Sequence, residues 1–309
     1  MTIVSLEVPS LPPLLHQIVR DLNPWEHEYV KVCDELSSSL NPYRNSHEIR
    51  ISAAIACMDL PDLKTASVFE VMKWDYERGR YQGVDTLVVP YGNTAQAVGI
   101  FAPAFGIKQV RVVLPGDEYT ALEGLDRSCT RVFSFGHPRG RHIHECRTGP
   151  LLAKAAGGPI GLVAVAMGSG NTAIGLSRYF REAGSKTIIL GVRPKKGERV
   201  PGTLDSEQMD RLIKFPYHKA IKTIVEVSRA EALAGALALR GEVTPQPGFS
   251  SGLAYAGLMK LLSESSSADD VRGVLRGQRA VVFCPDNGRA YPELTVGGTY
   301  PSSSSSPRL

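Results

Sequence analysis

No cysteine pair of the C-x-x-C type occurs, and the five cysteines, Cys33, Cys57, Cys129, Cys146 and Cys284, are odd in number and scattered. A disulfide framework or a zinc ribbon requires paired spacing, so these residues read as reduced, partly buried thiols. No apolar run approaches the ~20 residues that span a bilayer. The N-terminal stretch MTIVSLEVPSLPPLLHQIVR lacks the early basic segment and apolar block of a signal peptide. Charge of one sign is scarce as well: Lys plus Arg is 35 against 31 for Asp plus Glu, a net +4 over 309 residues. That is too little to mark a nucleic-acid or membrane surface. No internal repeat of solenoid length is present. These absences predict a cytoplasmic protein with neither nucleic acid nor membrane as a partner. What is there, 43% apolar and 21% charged residues, is ordinary globular composition. The length suits one large domain or two ordinary ones.

From residue 64 onward the chain alternates strand-like and helix-like segments. Short β-branched runs stand at Thr86–Val89, Val110–Leu114, Leu162–Val165, Thr187–Leu190, Thr223–Val227 and Ala280–Phe283. Each is apolar at successive positions, as strands buried on both faces are. Residues 65–78, Thr172–Ala183 and Arg229–Arg240 carry helical spacing between them, and Ser228 with Glu231 forms a capping box before the last. This alternation predicts an α/β protein with mostly parallel sheets wrapped by helices. Earlier in the chain, Glu28–Cys33 reads as a strand, Ser37–Ser46 as a loop and Glu48–Met58 as a short helix. The block 117–147, rich in Gly, Arg and His with weak periodicity, predicts a domain boundary near 145–160. The polar tail SSSSSPRL (302–309) is expected to be disordered.

Two strands run into nearly the same tripeptide. DTLVVPYGNTA (85–95) and GLVAVAMGSGNTA (161–173) each read strand, Gly-Asn-Thr, helix. Backbone N–H groups at such a turn point outward and the helix N-terminus adds partial positive charge, which suits an anion; a tight strand-to-helix turn needs the same residues for geometry alone. The second loop also fits the G-x-G-x-x-G/A dinucleotide fingerprint through Gly168 and Gly170. NAD would require an acid ~20 residues on. Gly191-Val-Arg193 stands there instead, so this alternative is an NADP-dependent oxidoreductase using Arg193. His142, His144 and Cys146 with His137 form an H-x-H-x-C cluster without a second ligand pair, and no metal site is assigned.

Taken in order, five stretches resemble the fold-type II pyridoxal-phosphate enzymes, tryptophan-synthase-β-like in fold, and within them the cysteine synthase and cystathionine β-synthase group. YGNTA (91–95) looks like that group's substrate loop SGNTG, and HPRGRHIHECRTGP (137–150) is similar to its N-P-A-N…I-H…T-G-P segment. GSGNT (168–172) looks like its phosphate loop, PGFSSGLAYAG (247–257) its A-G-I-S-S-G-A turn, and CPDNGRAYPE (284–293) its P-S-S-G-E-R-Y ending.

The resemblance implies pyridoxal 5′-phosphate as cofactor, held covalently by a lysine amine. It places Lys64 there, opening KTASVFEVMKWDYERG at the family's intervals to Gly79 and Asn93, although the family's P-T-G-S-x-K-D-R motif is replaced by PDLKTAS. A competing register reads NPYRNSHEIR (41–50) as a broken copy of that motif and puts Glu48 at the lysine position. The resemblance further implies that Asn93 meets the cofactor's ring hydroxyl and that Gly168, Ser169, Gly170, Asn171 and Thr172 hold its phosphate. Tyr91, Gly92, Thr94, Ser250 and Ser251 would frame the substrate. At the ring nitrogen, where the family usually offers serine, this chain has Asp286 and Asn287, and its sequence leaves open which side chain faces inward. Between Pro115 and His137 a family helix-and-loop unit is shortened.

The function implied is β-elimination or β-replacement on an activated serine-type amino acid, by a homodimeric lyase or transferase. The other alternative is a non-catalytic paralogue that acts as a binding partner. The expected organisation is an N-terminal segment 1–40 packing on the large domain, a small substrate-side domain 41–147, a large cofactor domain 148–300 and a tail 301–309.

Overall fold

The computed structural model describes residues 4–7, 12–90, 92–113, 126–134, 136–213, 215–264, 268–288, 291 and 294. The tail 301–309 lies outside them. The strands are β1 (Val4–Glu7), β2 (Lys31–Glu35), β3 (Arg50–Ile55), β4 (Thr86–Pro90), β5 (Gln109–Val113), β6 (Thr130–Val132), β7 (Ile160–Ala166), β8 (Ile188–Pro194), β9 (Thr223–Val227) and β10 (Arg279–Cys284). The helices are α1 (Pro12–Asp21), α2 (Tyr43–His47), α3 (Leu63–Glu77), α4 (Asn93–Phe101), α5 (Pro138–Ile143), α6 (Gly149–Ala156), α7 (Asn171–Glu182), α8 (Ser206–Leu212), α9 (Tyr217–Ala220), α10 (Arg229–Arg240), α11 (Phe249–Glu264) and α12 (Ala268–Leu275).

Two sheets result, one of four strands in the order β1-β5-β4-β6 and one of six in the order β2-β3-β10-β7-β8-β9. In each, one strand runs antiparallel, β1 on β5 and β2 on β3, and the other pairings are parallel. The central parallel strands of the large sheet are covered on both faces: in β7 all residues but Ala166 are buried, and in β10 all but Arg279. This is the expected α/β architecture of mostly parallel sheets wrapped by helices.

Several expectations are corrected. Glu48–Met58 is not a helix; its centre is β3, fully buried after Arg50 and paired in parallel with β10. The run ISAAIA is rich in alanine, a good helix former, but small apolar side chains also fit a strand with both faces covered. Ser37–Ser46 is not all loop, since α2 starts at Tyr43. The division expected near residue 41 differs too, because β2 and β3 complete the six-stranded sheet while β1 pairs into the small one. Between 138 and 156 the chain is continuously helical, α5 passing through a wider turn at His144–Thr148 into α6.

Helix α3 ties the two sheets together. Its first turn contributes Leu63 and Ala66 to the core under the six-stranded sheet. Its later turns contribute Val68, Phe69, Val71 and Met72 to the core of the small sheet, with Leu87, Val98 and Phe101. On the other face of the large sheet, α11 packs on α10 through glycine: a β-carbon at Gly252 would lie 2.1 Å from the Ala232 carbonyl oxygen, and one at Gly235 2.5 Å from that of Gly252.

Candidate active site

The chemistry-bearing motifs gather at the carboxyl ends of the parallel strands, where open α/β sheets place their ligand sites. β3 leads through a turn to Lys64, β4 to Gly92-Asn93-Thr94, β7 to Gly168–Thr172 and β10 to Asp286. The start of α3 is fixed by a cap and by the neighbouring strand exit. The Asp62 carboxylate accepts from the Thr65 N–H at 3.1 Å, and the Leu63 N–H donates to the Pro285 carbonyl at 2.8 Å. Asp62 and Asp286 also form a backbone bridge, so the segments that carry Lys64 and Asp286 are bound directly to each other.

Lys64 Nζ donates to the Gly202 carbonyl at 3.3 Å. That same carbonyl oxygen sits 2.6 Å from where a β-carbon on Gly168 would stand, so Gly168 must be glycine for the lysine's acceptor to reach the loop. Although Lys64 keeps some exposed surface, protein packs densely about its amine, and this desolvation pulls its pKa below the usual lysine range against the attraction of Asp62 and Asp286. Burial raises Asp62 to about 6, opposed by Lys64 and by its cap hydrogen bonds. Asp286 is raised by burial, opposed by Tyr291, Lys64, Ser250 and Asn93.

Asp286 is held from three sides. The Tyr291 hydroxyl donates to it at 2.5 Å and the Ser250 hydroxyl at 3.1 Å, and the Asn93 amide adds a third side-chain hydrogen bond. A β-carbon on Gly248 would fall 2.4 Å from its Oδ1, so that glycine makes the carboxylate's seat. Asp286 and Lys64 thus act on each other electrostatically, and the backbone of Asn287 bridges to Pro247.

At the loop Gly168–Thr172, Gly170 has φ +77° and caps α7 without a side-chain acceptor. The Asn171 N–H donates to Ser169 Oγ at 3.4 Å, and Thr172 Oγ1 lies 3.3 Å from His144 Nε2. Gly92, with φ +104°, starts α4; Thr94 is buried at its side, and Tyr91 lies outside the described residues. Ser251 does not join Ser250 at Asp286; it is fully buried against the Cys284 thiol.

The residues expected elsewhere separate from this group. Glu48 precedes β3 at the amino end of the sheet and pairs with Arg276 at 3.4 Å. Arg193 is held by Glu226 at 2.9 Å and donates to the Tyr217 hydroxyl at 3.4 Å, a pairing of neighbouring strands β8 and β9. Among the described residues no cluster of three metal-ligating side chains exists, and the Cys146 thiol lies 3.3 Å from His142 Nδ1.

Sequence reasoning gave His144 no role. It is 1% exposed, with Nε2 2.7 Å from Ser67 Oγ and Nδ1 3.0 Å from Thr148 Oγ1, which in turn meets the Tyr29 hydroxyl at 2.6 Å. Burial drives its pKa down to about 3, so it is a neutral link between α3 and the start of α7. A histidine in hydrogen-bond contact with Ser67 but 77 residues from it in sequence leaves no local signal.

A desolvated lysine, a glycine loop at a helix N-terminus and a buried carboxylate fit a phosphorylated aldehyde cofactor in their chemistry. The chain belongs to the pyridoxal-phosphate dependent enzyme family, whose model matches residues 121–277, and its fold is that of the fold-type II members in the cysteine synthase group. It is 30% identical over 104 residues to cysteine synthase B of Escherichia coli (strain K12), covering 32% of this chain and 34% of that protein. To cysteine synthase A of the same strain it is 26% identical over 175 residues, covering 51% and 50%. The matched stretches thus span half or less of these relatives' length. The crystal structure of O-acetyl serine sulfhydrylase isoform 3 from Entamoeba histolytica superposes with a TM-score of 0.67 at 18% identity, covering 92% of this chain and 93% of that one.

Proposed function

We propose that this chain is a pyridoxal-phosphate-dependent lyase or transferase that carries out β-elimination or β-replacement on an activated serine-type amino acid. The observation that carries the reading is the junction of Lys64 Nζ, the Gly202 carbonyl and Gly168 of the glycine loop, with Asp286 acting electrostatically on the same amine. Its support from known proteins is the cysteine synthase relatives. When bound, the cofactor supplies an electron sink for charge developing at the substrate's α-carbon.

The chain's residues divide the remaining work. Lys64, kept short of its usual basicity by burial, holds the cofactor and afterwards takes the proton from the α-carbon. The loop Gly168–Thr172 offers N–H groups to a phosphate, and Gly92, Asn93 and Thr94 open the helix that faces the substrate. Asp286, fixed by Tyr291 and Ser250, presents a carboxyl group where the family usually has serine. A homodimer is part of the proposal and is checked by sedimentation.

The test is a visible spectrum of protein incubated with pyridoxal phosphate, followed by borohydride reduction and peptide mapping. The expected result is a single reduced adduct on Lys64, absent from Lys64→Ala, whose turnover of activated serine derivatives falls to background. An adduct on another lysine, or unchanged turnover by Lys64→Ala, would refute the assignment.

A further inference from the structure

We propose that Arg141 completes an anion site with the Gly168–Thr172 loop, and that this site takes a phosphate monoester. The inference rests on the reading of that loop given above and extends it to a residue that no resemblance assigns.

Arg141 is fixed close to the loop by backbone packing. A β-carbon at Gly175, in the second turn of α7, would lie 2.6 Å from the Arg141 carbonyl oxygen, and one at Gly140 would lie 2.7 Å from Asn171 Nδ2. Its guanidinium is 4.3 Å from the centroid of the Phe215 ring, and Nη1 donates to the Gly136 carbonyl at 3.3 Å. The same ring lies 3.9 Å from the β-carbon position of Gly170, so Phe215 spans the distance between guanidinium and loop.

Charge makes this arrangement informative. Arg141 is only 9% exposed, yet among the described residues no carboxylate comes within ion-pair distance of it. Glu145 is committed to Arg178 at 3.4 Å, and Arg178 adds a second positive charge. Burial first, and then the Arg178 charge, pull the Arg141 pKa below its usual range against the attraction of Glu145. The twelve-residue helix α7 directs its positive end to the same place, its N-cap being a glycine. A guanidinium fork and a helix N-terminus together match a dianion with several oxygens, and the glycines admit it to the backbone. On the reading above the phosphate is the cofactor's; were it that of a phosphorylated amino-acid substrate instead, the loop would hold no cofactor phosphate, and the two sources are separable.

Wild type, Arg141→Met and Arg141→Lys are titrated with pyridoxal phosphate and with pyridoxal, reading tryptophan fluorescence. The loaded proteins are then titrated with O-phospho-L-serine and L-serine, reading the visible spectrum. If the cofactor supplies the phosphate, R141M weakens pyridoxal phosphate by about tenfold or more while pyridoxal is unchanged, with R141K between. If the substrate supplies it, cofactor affinity holds and O-phospho-L-serine alone weakens. Equal losses for phosphorylated and unphosphorylated ligands, or no loss for any, overturn the inference. Should R141M fail to fold, Phe215→Leu, which removes the ring against the guanidinium, carries the same comparison with a smaller expected loss. A wild type that binds neither pyridoxal phosphate nor pyridoxal overturns the loop reading itself, and the inference with it.

Discussion

Lys64 sits between two carboxylates, Asp62 fixed by its own helix cap and Asp286 by the end of β10, and both raise a pKa that burial lowers. Removing either charge therefore lowers the pH at which the amine becomes free. Asp62→Asn is the clean change, because asparagine still caps α3. The rate at which Lys64 is trapped by pyridoxal phosphate and borohydride should reach half its maximum at lower pH in D62N than in wild type; a shift to higher pH would contradict the arrangement. Stability carries a second signature. Asp62 titrates near 6 in the folded chain against 3.8 for the free group, so the folded state holds the extra proton between these values, and stability falls as pH rises through them. His144 works the other way: its pKa of about 3 lies below the ordinary 6.5, so the unfolded state takes the proton and stability falls as pH drops below 6.5. Each slope approaches about 1.4 kcal/mol per pH unit and they oppose each other. Urea midpoints between pH 4 and 6 should thus fall on acidification in D62N and rise on acidification in His144→Gln. A pH-independent difference from wild type in both variants would refute the two assignments.

Among the elements, the α10–α11 pair shows how packing overrides propensity. Glycine to alanine within a helix ordinarily gains about 1 kcal/mol. At Gly252 the added carbon would meet the Ala232 carbonyl oxygen at 2.1 Å and the Ala236 nitrogen at 2.3 Å, both backbone atoms of the opposing helix. Gly252→Ala should therefore destabilise by about 1–3 kcal/mol in urea unfolding, and a gain would show that the helices can separate at no cost. The same precedence of packing explains what the sequence revealed. Strands flanked by β-branched residues were legible: Thr223–Val227 and its following capped helix Arg229–Arg240 stand where expected. β3 was not, because its alanines carry no β signal and only the neighbouring β10 makes them a strand. Within the site, motif order brought out Lys64, Asn93, the glycine loop and Asp286, all of which follow strand ends. Arg141 and His144 lay in a segment without periodicity. Of their partners only Thr148 is local, four residues after His144, whereas Phe215 and Ser67 come from other parts of the chain, so those roles exist only in three dimensions.

For the molecule as a whole, α3 decides whether the two sheets behave as one body. Its first turn is built into the large sheet's core and its later turns into the small one's, and it carries Lys64 at the first of these. Loosening the small core should therefore reach the large one through a continuous helix instead of through a hinge. Met72, fully buried in the small core, is the residue to change. Met72→Ala should cost about 2–5 kcal/mol from the cavity it leaves. Both tryptophans report on this helix: Trp74 lies in it, and the Trp25 indole donates to Glu70 at 3.2 Å. If α3 couples the sheets, the fluorescence and far-UV circular dichroism transitions coincide in wild type and move together in M72A. A fluorescence transition that precedes the loss of secondary structure would mean that the small sheet melts alone. The lysine's helix would then be free to change its relation to the Gly168–Thr172 loop without unfolding the rest.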